Sequence, residues 1–339
     1  IPASCSFKIA MICSSLNLLR FISSDSLRQT LPKSGHISGE HVITMRFSSS
    51  TQKLERAART LEASGDYRVV RKIPEPFSRM DGNAPPDAKC VAIVDCETTG
   101  LSLADDEVIE LAILLAWVSN DGEVLAHLGP WSWLADPGRS LSPEIMRLTG
   151  LCDEDLAGQS IDLEHVKTLL DRADLVLAHN ASFDIAWFDQ LLPELADKPW
   201  ACSMREIGWS AMQFEGRSQP NLLSKHGWFS AAHRASADVW SLFWLLMQKR
   251  ADPDGENVRS HFARLLESSA QPSMLISATG APFAAKDELK ARSYRWNVVE
   301  RLWQKQVRLD EASSEMAWLQ GKLLPAPTTK TVTAAERYR

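Results

Sequence analysis

The run Lys89-Cys-Val-Ala-Ile-Val94 reads as a buried strand, and it ends in Asp95-Cys96-Glu97-Thr98-Thr99-Gly100. Residues i and i+2 of a strand point to one face, so the carboxylates of Asp95 and Glu97 project together while Cys96 faces the core. Two acids side by side repel unless a cation lies between them, and clustered carboxylates are hard oxygen ligands suited to Mg²⁺ or Mn²⁺. Thr98, Thr99 and Gly100 then turn the chain out of the strand and expose backbone N–H groups beside the acids. Taken alone, such a pair of acids marks many solvated strand ends.

Two further segments carry matching chemistry. Asp184 follows the short apolar strand Leu175-Val-Leu-Ala178, and Asn180 or Ser182 can cap the helix that starts there. That places Asp184 in a first helical turn, where the helix dipole favours the ionised carboxylate a metal requires. In His233-Arg-Ala-Ser-Ala-Asp238, five residues of helix would rotate about 500°, or about 140° net, so two helical side chains would not share a face. His233 is therefore expected on the loop and Asp238 in the opening turns of the helix.

The elements that must hold these residues are legible in outline. Val108 to Val118 is a long apolar run, and Val124 to Leu134 pairs with it as a hairpin around Asn120-Asp121-Gly122. An amphipathic helix is expected over Ile161 to Leu170, with further helices near Ser182–Leu192 and Ala235–Gln248. A hairpin followed by strand–helix alternation predicts an α/β fold, a mixed sheet with helices packed on it.

The three acidic segments, in this order, closely resemble the DEDD superfamily of 3′–5′ exonucleases. The H-x4-D form of the last segment places the resemblance in the DEDDh, or DnaQ-like, branch, which includes proofreading domains of DNA polymerases. Pro137-Gly138-Arg139, Ile145, Leu148, Thr149-Gly150-Leu151 and Asp153-Glu154 resemble the family's stretch between its first two motifs, and the likeness covers about residues 89–250. The resemblance implies a ribonuclease H-like mixed β-sheet flanked by helices. It implies Asp95, Glu97, Asp184 and Asp238 as ligands of two Mg²⁺ or Mn²⁺ ions. His233 would be the general base, since an imidazole exchanges protons near neutral pH. It also implies that Thr98, Thr99, Gly100, Leu101, Asn180 and Phe183 touch the terminal nucleotide. Phe183 could equally pack against the sheet, and His179 reads as a hydrogen-bonded structural histidine. The chain departs from the pattern at Cys202-Ser203, where many members carry Asp-Thr, and at Ser236, which puts substrate preference in doubt.

Composition sets the outer bounds. With 339 residues the chain is long enough for two domains, and 37 Lys and Arg against 43 Asp and Glu leave a net charge of −6. That excludes binding nucleic acid by bulk positive charge, though not cutting it at an acidic metal site. No apolar stretch reaches 18 residues, so no membrane span is expected. Six cysteines without a C-x-x-C pair read as reduced thiols of a cytoplasmic protein.

Residues 1–44 are rich in serine and poor in acids. They read as a leader or as translated upstream sequence, with Met45 as the favoured start. Residues 45–88 form a small helix–strand segment and a proline-rich linker. After the exonuclease-like stretch of 89–250, Ala251 to Gly255 reads as a linker, and 256–324 as a small C-terminal α+β module with a helix over Val258 to Leu266. Its stretch Lys286 to Arg308 holds seven bases against three acids, with Tyr294, Trp296 and Trp303 among them. Those aromatics could stack on unpaired nucleotides. The favoured reading is that Trp296 and Trp303 face each other across a hairpin as a miniature core. Residues 325–339 read as a disordered tail.

The expected activity is removal of nucleotides from single-stranded 3′ ends, DNA before RNA, in proofreading or repair, with a DNA polymerase or replication protein as partner. RNA 3′-end trimming, a catalytically silent nucleic-acid-binding module, and an enzyme acting on small nucleotides stand as alternatives.

Overall fold

The computed structural model describes residues 49–80, 83–230, 233–322 and 327–339, so the readings made for residues 1–44 lie outside the described chain. The chain forms two compact units. The smaller, among the described residues, is a helix over Ser49–Ala63 and a parallel pairing of Arg71–Lys72 with Trp228–Phe229. The Arg71 guanidinium holds it together by bridging Glu55 at 2.9 Å and Glu62 at 3.2 Å, which keeps the Glu55 carboxyl below its ordinary range.

The larger unit is built on a five-stranded mixed sheet. Its strands are β1 (Lys89–Thr98), β2 (Val108–Val118), β3 (Val124–Leu134), β4 (Leu175–Ala178) and β5 (Trp200–Cys202). They lie in the order β3-β2-β1-β4-β5, antiparallel across β3-β2-β1 and parallel across β1-β4-β5. With helices on both faces this is a ribonuclease H-like α/β fold. The hairpin between β2 and β3 turns at Gly122, which has φ 78°. A Cβ there would also lie 2.4 Å from the backbone nitrogen of Ala263, so glycine is required on two counts.

Alternation along β1 and β2 divides the core. Ala92, Val94, Cys96, Leu111, Ile113 and Leu115 face one apolar cluster, packed by α1 (Leu163–Asp171) and α2 (Ala181–Leu191) through Val166, Leu169, Ile185 and Phe188. Val91 and Ile93 face the other way, where α3 (Gln219–Lys225) packs on α4 (Ala235–Met247) and α4 packs on the sheet. Every residue of β2 is buried, as expected for a strand covered on both faces.

Three expectations about the rest of the chain need correction. Residues 251–255 are not a free linker. Lys249–Ala251 pairs with Val258–Ser260 around them, and Asp252 meets the buried Arg264 at 2.8 Å. Helix α5 (His261–Ala270) therefore starts three residues later than the pattern predicted. The C-terminal module is a four-stranded antiparallel sheet of β6 (Ser273–Ala278), β7 (Arg295–Asn297), β8 (Leu302–Arg308) and β9 (Thr328–Val332), in the order β7-β8-β6-β9. It carries α6 (Lys286–Ala291) and α7 (Leu309–Gly321).

The described part of the tail is thus structured. The run of Thr and Val over 328–332 is a strand former, and it completes the sheet beside β6. Beyond it, Ala334 accepts a hydrogen bond from the Trp200 N–H of β5, and the buried Arg337 meets Glu206 at 2.8 Å. Trp296 and Trp303 are direct cross-strand partners with ring centroids 5.6 Å apart, edge to face, and Trp303 belongs to the module's core.

Candidate active site

Asp95 and Glu97 continue the face of β1 that carries Val91 and Ile93, the face covered by α4. Asp238 lies in the first turn of α4 and meets them there. One ligand atom from each of Asp95, Glu97 and Asp238 falls within 4.8 Å of the others. They line a cavity of about 250 Å³ that Asp184, Asn180, Phe183 and His233 also line. A register shift between Glu97 and Thr98 marks a bulge at this end of the strand, where the chain turns away from its partner.

Asp184 arrives from the opposite side. Helix α2 packs on the Cys96 face of the sheet, so Asp184 accepts from Cys96 Sγ at 3.6 Å and is not one of the three acids in mutual contact. Its buried carboxyl lies nonetheless close enough to be the strongest charged neighbour of Asp95.

Burial and like charge push these acids toward neutrality. Desolvation first, and then Asp184, Asp238 and Glu97, hold the Asp95 carboxyl well above its ordinary range. Glu97 is raised to about 7 by desolvation and by Asp238, and Asp238 to about 6 by desolvation, against a hydrogen bond from the His233 backbone. Desolvation also raises Asp184. Half-buried oxygen donors that repel one another across one cavity fit divalent cations, which would remove that repulsion.

His233 stands on the loop before α4, as its spacing to Asp238 predicted. Its φ is 68°, and its backbone N–H donates to Asp238 Oδ2 at 2.9 Å. Asn180 occupies the N-cap position of α2 without a side-chain cap bond. Phe183 is half-buried and meets Trp187 edge to face at 6.2 Å while also lining the cavity, so it packs and faces the site at once.

His179 is structural. Its Nε2 lies 2.7 Å from the Arg217 carbonyl, which can only accept, so the proton sits on Nε2 and Nδ1 accepts from Ser203 Oγ at 2.8 Å. Ser203, at the point of departure from the family pattern, thereby acts as its buried partner.

Thr98, Thr99, Gly100 and Leu101 do not line the cavity; they form the turn leaving β1 beside it. Thr98 Oγ1 donates to the Gly100 carbonyl at 2.5 Å, and Thr99 Oγ1 to Asp106 Oδ1 at 3.0 Å. A Cβ on Gly100 would sit 2.3 Å from the Asp106 carboxylate and would displace it from Thr99 Oγ1 and the Ser102 N–H, which it binds. Arg139 braces the turn from outside, reaching Thr99 Oγ1 at 2.8 Å and the Asp105 carbonyl at 2.7 Å. Leu101 is left 85% exposed at its tip.

Sequence reasoning missed two contributors. Glu110, wholly buried on β2, is the cross-strand partner of Glu97 and binds Arg234 at 2.8 Å. Gln219 donates to the Asp238 carbonyl at 2.7 Å and fixes the start of α4 from α3. For Glu110 a signal existed: one acid inside eleven otherwise uncharged residues must be paired or exposed.

Residues 92–242 match the sequence model of the family described as Exonuclease. This segment is a DnaQ-like exonuclease domain. The PolC-type DNA polymerase III of Bacillus subtilis is 28% identical over 229 residues, covering 58% of this chain and 16% of the polymerase. That of Latilactobacillus sakei is 32% identical over 161 residues, covering 45% of this chain and 11% of the polymerase. The chain thus spans about a sixth or less of these relatives' length.

Among solved structures, Exonuclease X in complex with 5′ overhanging duplex DNA is 23% identical with a TM-score of 0.35, over 45% of this chain and 86% of that one. Escherichia coli Exonuclease I with a dA16 oligonucleotide is 14% identical with a TM-score of 0.38, over 57% and 48%. Among the described residues no helix is long and apolar enough to cross a membrane.

Proposed function

We propose that this exonuclease domain removes nucleotides one at a time from single-stranded 3′ ends, DNA in preference to RNA, and releases nucleoside 5′-monophosphates. The observation that carries the reading is the meeting of Asp95, Glu97 and Asp238 in one cavity, with Asp184 beside them and His233 on its wall. These four acids would hold two Mg²⁺ or Mn²⁺ ions. Bound there, such ions supply the positive charge that activates a water and stabilises the departing 3′-oxygen. His233 takes the proton from that water, and the P–O3′ bond breaks so that the phosphate stays on the released nucleotide.

The turn of Thr98, Thr99, Gly100 and Leu101 receives the terminal sugar and base, with the exposed Leu101 side chain as an apolar contact. Asn180 offers its amide and Phe183 its ring from the cavity wall. The match to DNA polymerases supports DNA as the preferred substrate and a polymerase or other replication protein as the partner. The test is purified protein on 5′-labelled single-stranded DNA and RNA, with Mg²⁺ or Mn²⁺ and with EDTA. Stepwise shortening that vanishes with EDTA and in Asp184→Ala is expected. Cleavage that survives both would contradict the assignment.

A further inference from the structure

Strand β2 contains one charged residue, Glu110, and it is completely buried. Its carboxylate accepts four hydrogen bonds. Arg234 donates from Nε at 2.8 Å and Nη2 at 3.2 Å, the Ala235 backbone N–H at 3.2 Å, and Ser132 Oγ at 3.0 Å. Three of these come from the first residue of α4 and its cap, directly after His233.

A side chain with no reactive role could stabilise this place more simply. The Arg234 side chain is 43% exposed, and ion pairs open to solvent on one side contribute little net stability, so the pair is weak as a source of stability. It is strong as a source of register. Glu110 lies directly across from Glu97, so the strand frame that carries the acids also fixes the segment that carries the base. That segment has something to resist. His233 is held at φ 68°, a conformation that costs a residue with a side chain, while its N–H reaches Asp238.

We propose that Glu110 and Arg234 are positioning residues that tie the start of α4 to β2 and so hold the His233 imidazole at the acidic cavity. The inference rests on the proposed nuclease function. It goes beyond it by assigning placement of the base to a buried acid and its half-exposed arginine partner, neither of which lines the cavity.

The experiment is a set of double-mutant cycles on the full chain, with kcat and KM on single-stranded DNA and Mn²⁺ affinity by calorimetry. Glu110→Gln and Arg234→Gln are each expected to lower kcat about ten- to a hundred-fold, the range for losing a charge-assisted contact. KM should stay within about twofold, as for an interaction felt only in the transition state. Mn²⁺ affinity should shift in opposite senses, down in Glu110→Gln and up in Arg234→Gln, because Glu110 adds to the negative field at the acids and Arg234 subtracts from it. A shared loss of kcat then cannot come from the metal. Arg234→Lys, which keeps the charge but one donor in place of two, should recover only part of the rate. In a His233→Ala background either substitution should cost nothing further, because the group they place is gone.

Should Glu110→Gln fail to fold by circular dichroism, Arg234→Gln carries the same cycle from the partly exposed end of the pair. Losses that multiply on top of His233→Ala, or variants with wild-type kcat, would overturn the inference while leaving the nuclease reading intact. A wild-type chain without nuclease activity would overturn both.

Discussion

Neutralising one acid of the acidic cavity should stabilise the protein in the absence of divalent cations, and by an amount that grows with pH. The Glu97 carboxyl stands at about 7 in the folded protein against an ordinary 4.5, raised by desolvation and by Asp238. Between those values the folded state holds a proton that the unfolded chain has released, so stability falls as pH rises through that window. Integrating the linkage gives a destabilisation of about 1 kcal/mol at pH 5 and about 3 kcal/mol at pH 8. Glu97→Gln should recover these amounts, roughly tripling its gain in Tm between the two pH values. The comparison must be made between proteins at each pH. His127 and His261 are pushed down to about 4 and about 2 by burial, and they favour the folded state as pH rises toward 6.5. Thermal unfolding in EDTA reads the difference directly. With millimolar Mn²⁺ the sign should reverse, because wild type then gains a ligand that the variant lacks. A gain independent of pH, or a variant less stable than wild type in EDTA at pH 8, would refute the electrostatic reasoning.

Other consequences are equally direct. His233→Ala should lose rate far more than Mn²⁺ affinity, measured by single-turnover cleavage beside calorimetric titration; loss of binding would contradict its assignment as base. Arg337→Ala leaves the buried Glu206 without its counter-charge, though still bonded by Cys202 N–H and Tyr338 OH, and should cost about 3 kcal/mol in denaturant unfolding, whereas a loosely attached tail would show almost none. Trp303→Ala should cost about 3–5 kcal/mol and Trp296→Ala clearly less, since Trp303 is core and Trp296 is 48% exposed. Equal losses would show that the hairpin packs otherwise.

The parts of this molecule that local periodicity determines were legible in its sequence. A period of two put Asp95 and Glu97 on one face, and the rotation per helical residue put His233 on a loop and Asp238 on a helix. What stayed hidden depends on contacts between distant segments. Asp184 belongs in a first helical turn by its sequence, but its turn toward Cys96 follows from which sheet face α2 covers. Glu110 and Arg234 lie 124 residues apart, and nothing local says that they meet. The Thr-rich run at 328–332 looked like a low-complexity tail because its value as a strand depends on β6 needing a neighbour. The tryptophan pair was readable because a short hairpin leaves few places for two large rings.

The central claim is that the acidic cavity hydrolyses nucleic acid from the 3′ terminus. Polarity tests it most directly. One single-stranded oligonucleotide, labelled in separate preparations at its 5′ and its 3′ terminal nucleotide, is digested with Mn²⁺ beside a circular single strand. The 3′ label should appear at once as a nucleoside 5′-monophosphate, the 5′ label should descend through a ladder, and the circle should stay intact. Release of the 5′ label first, or cutting of the circle, would contradict that claim.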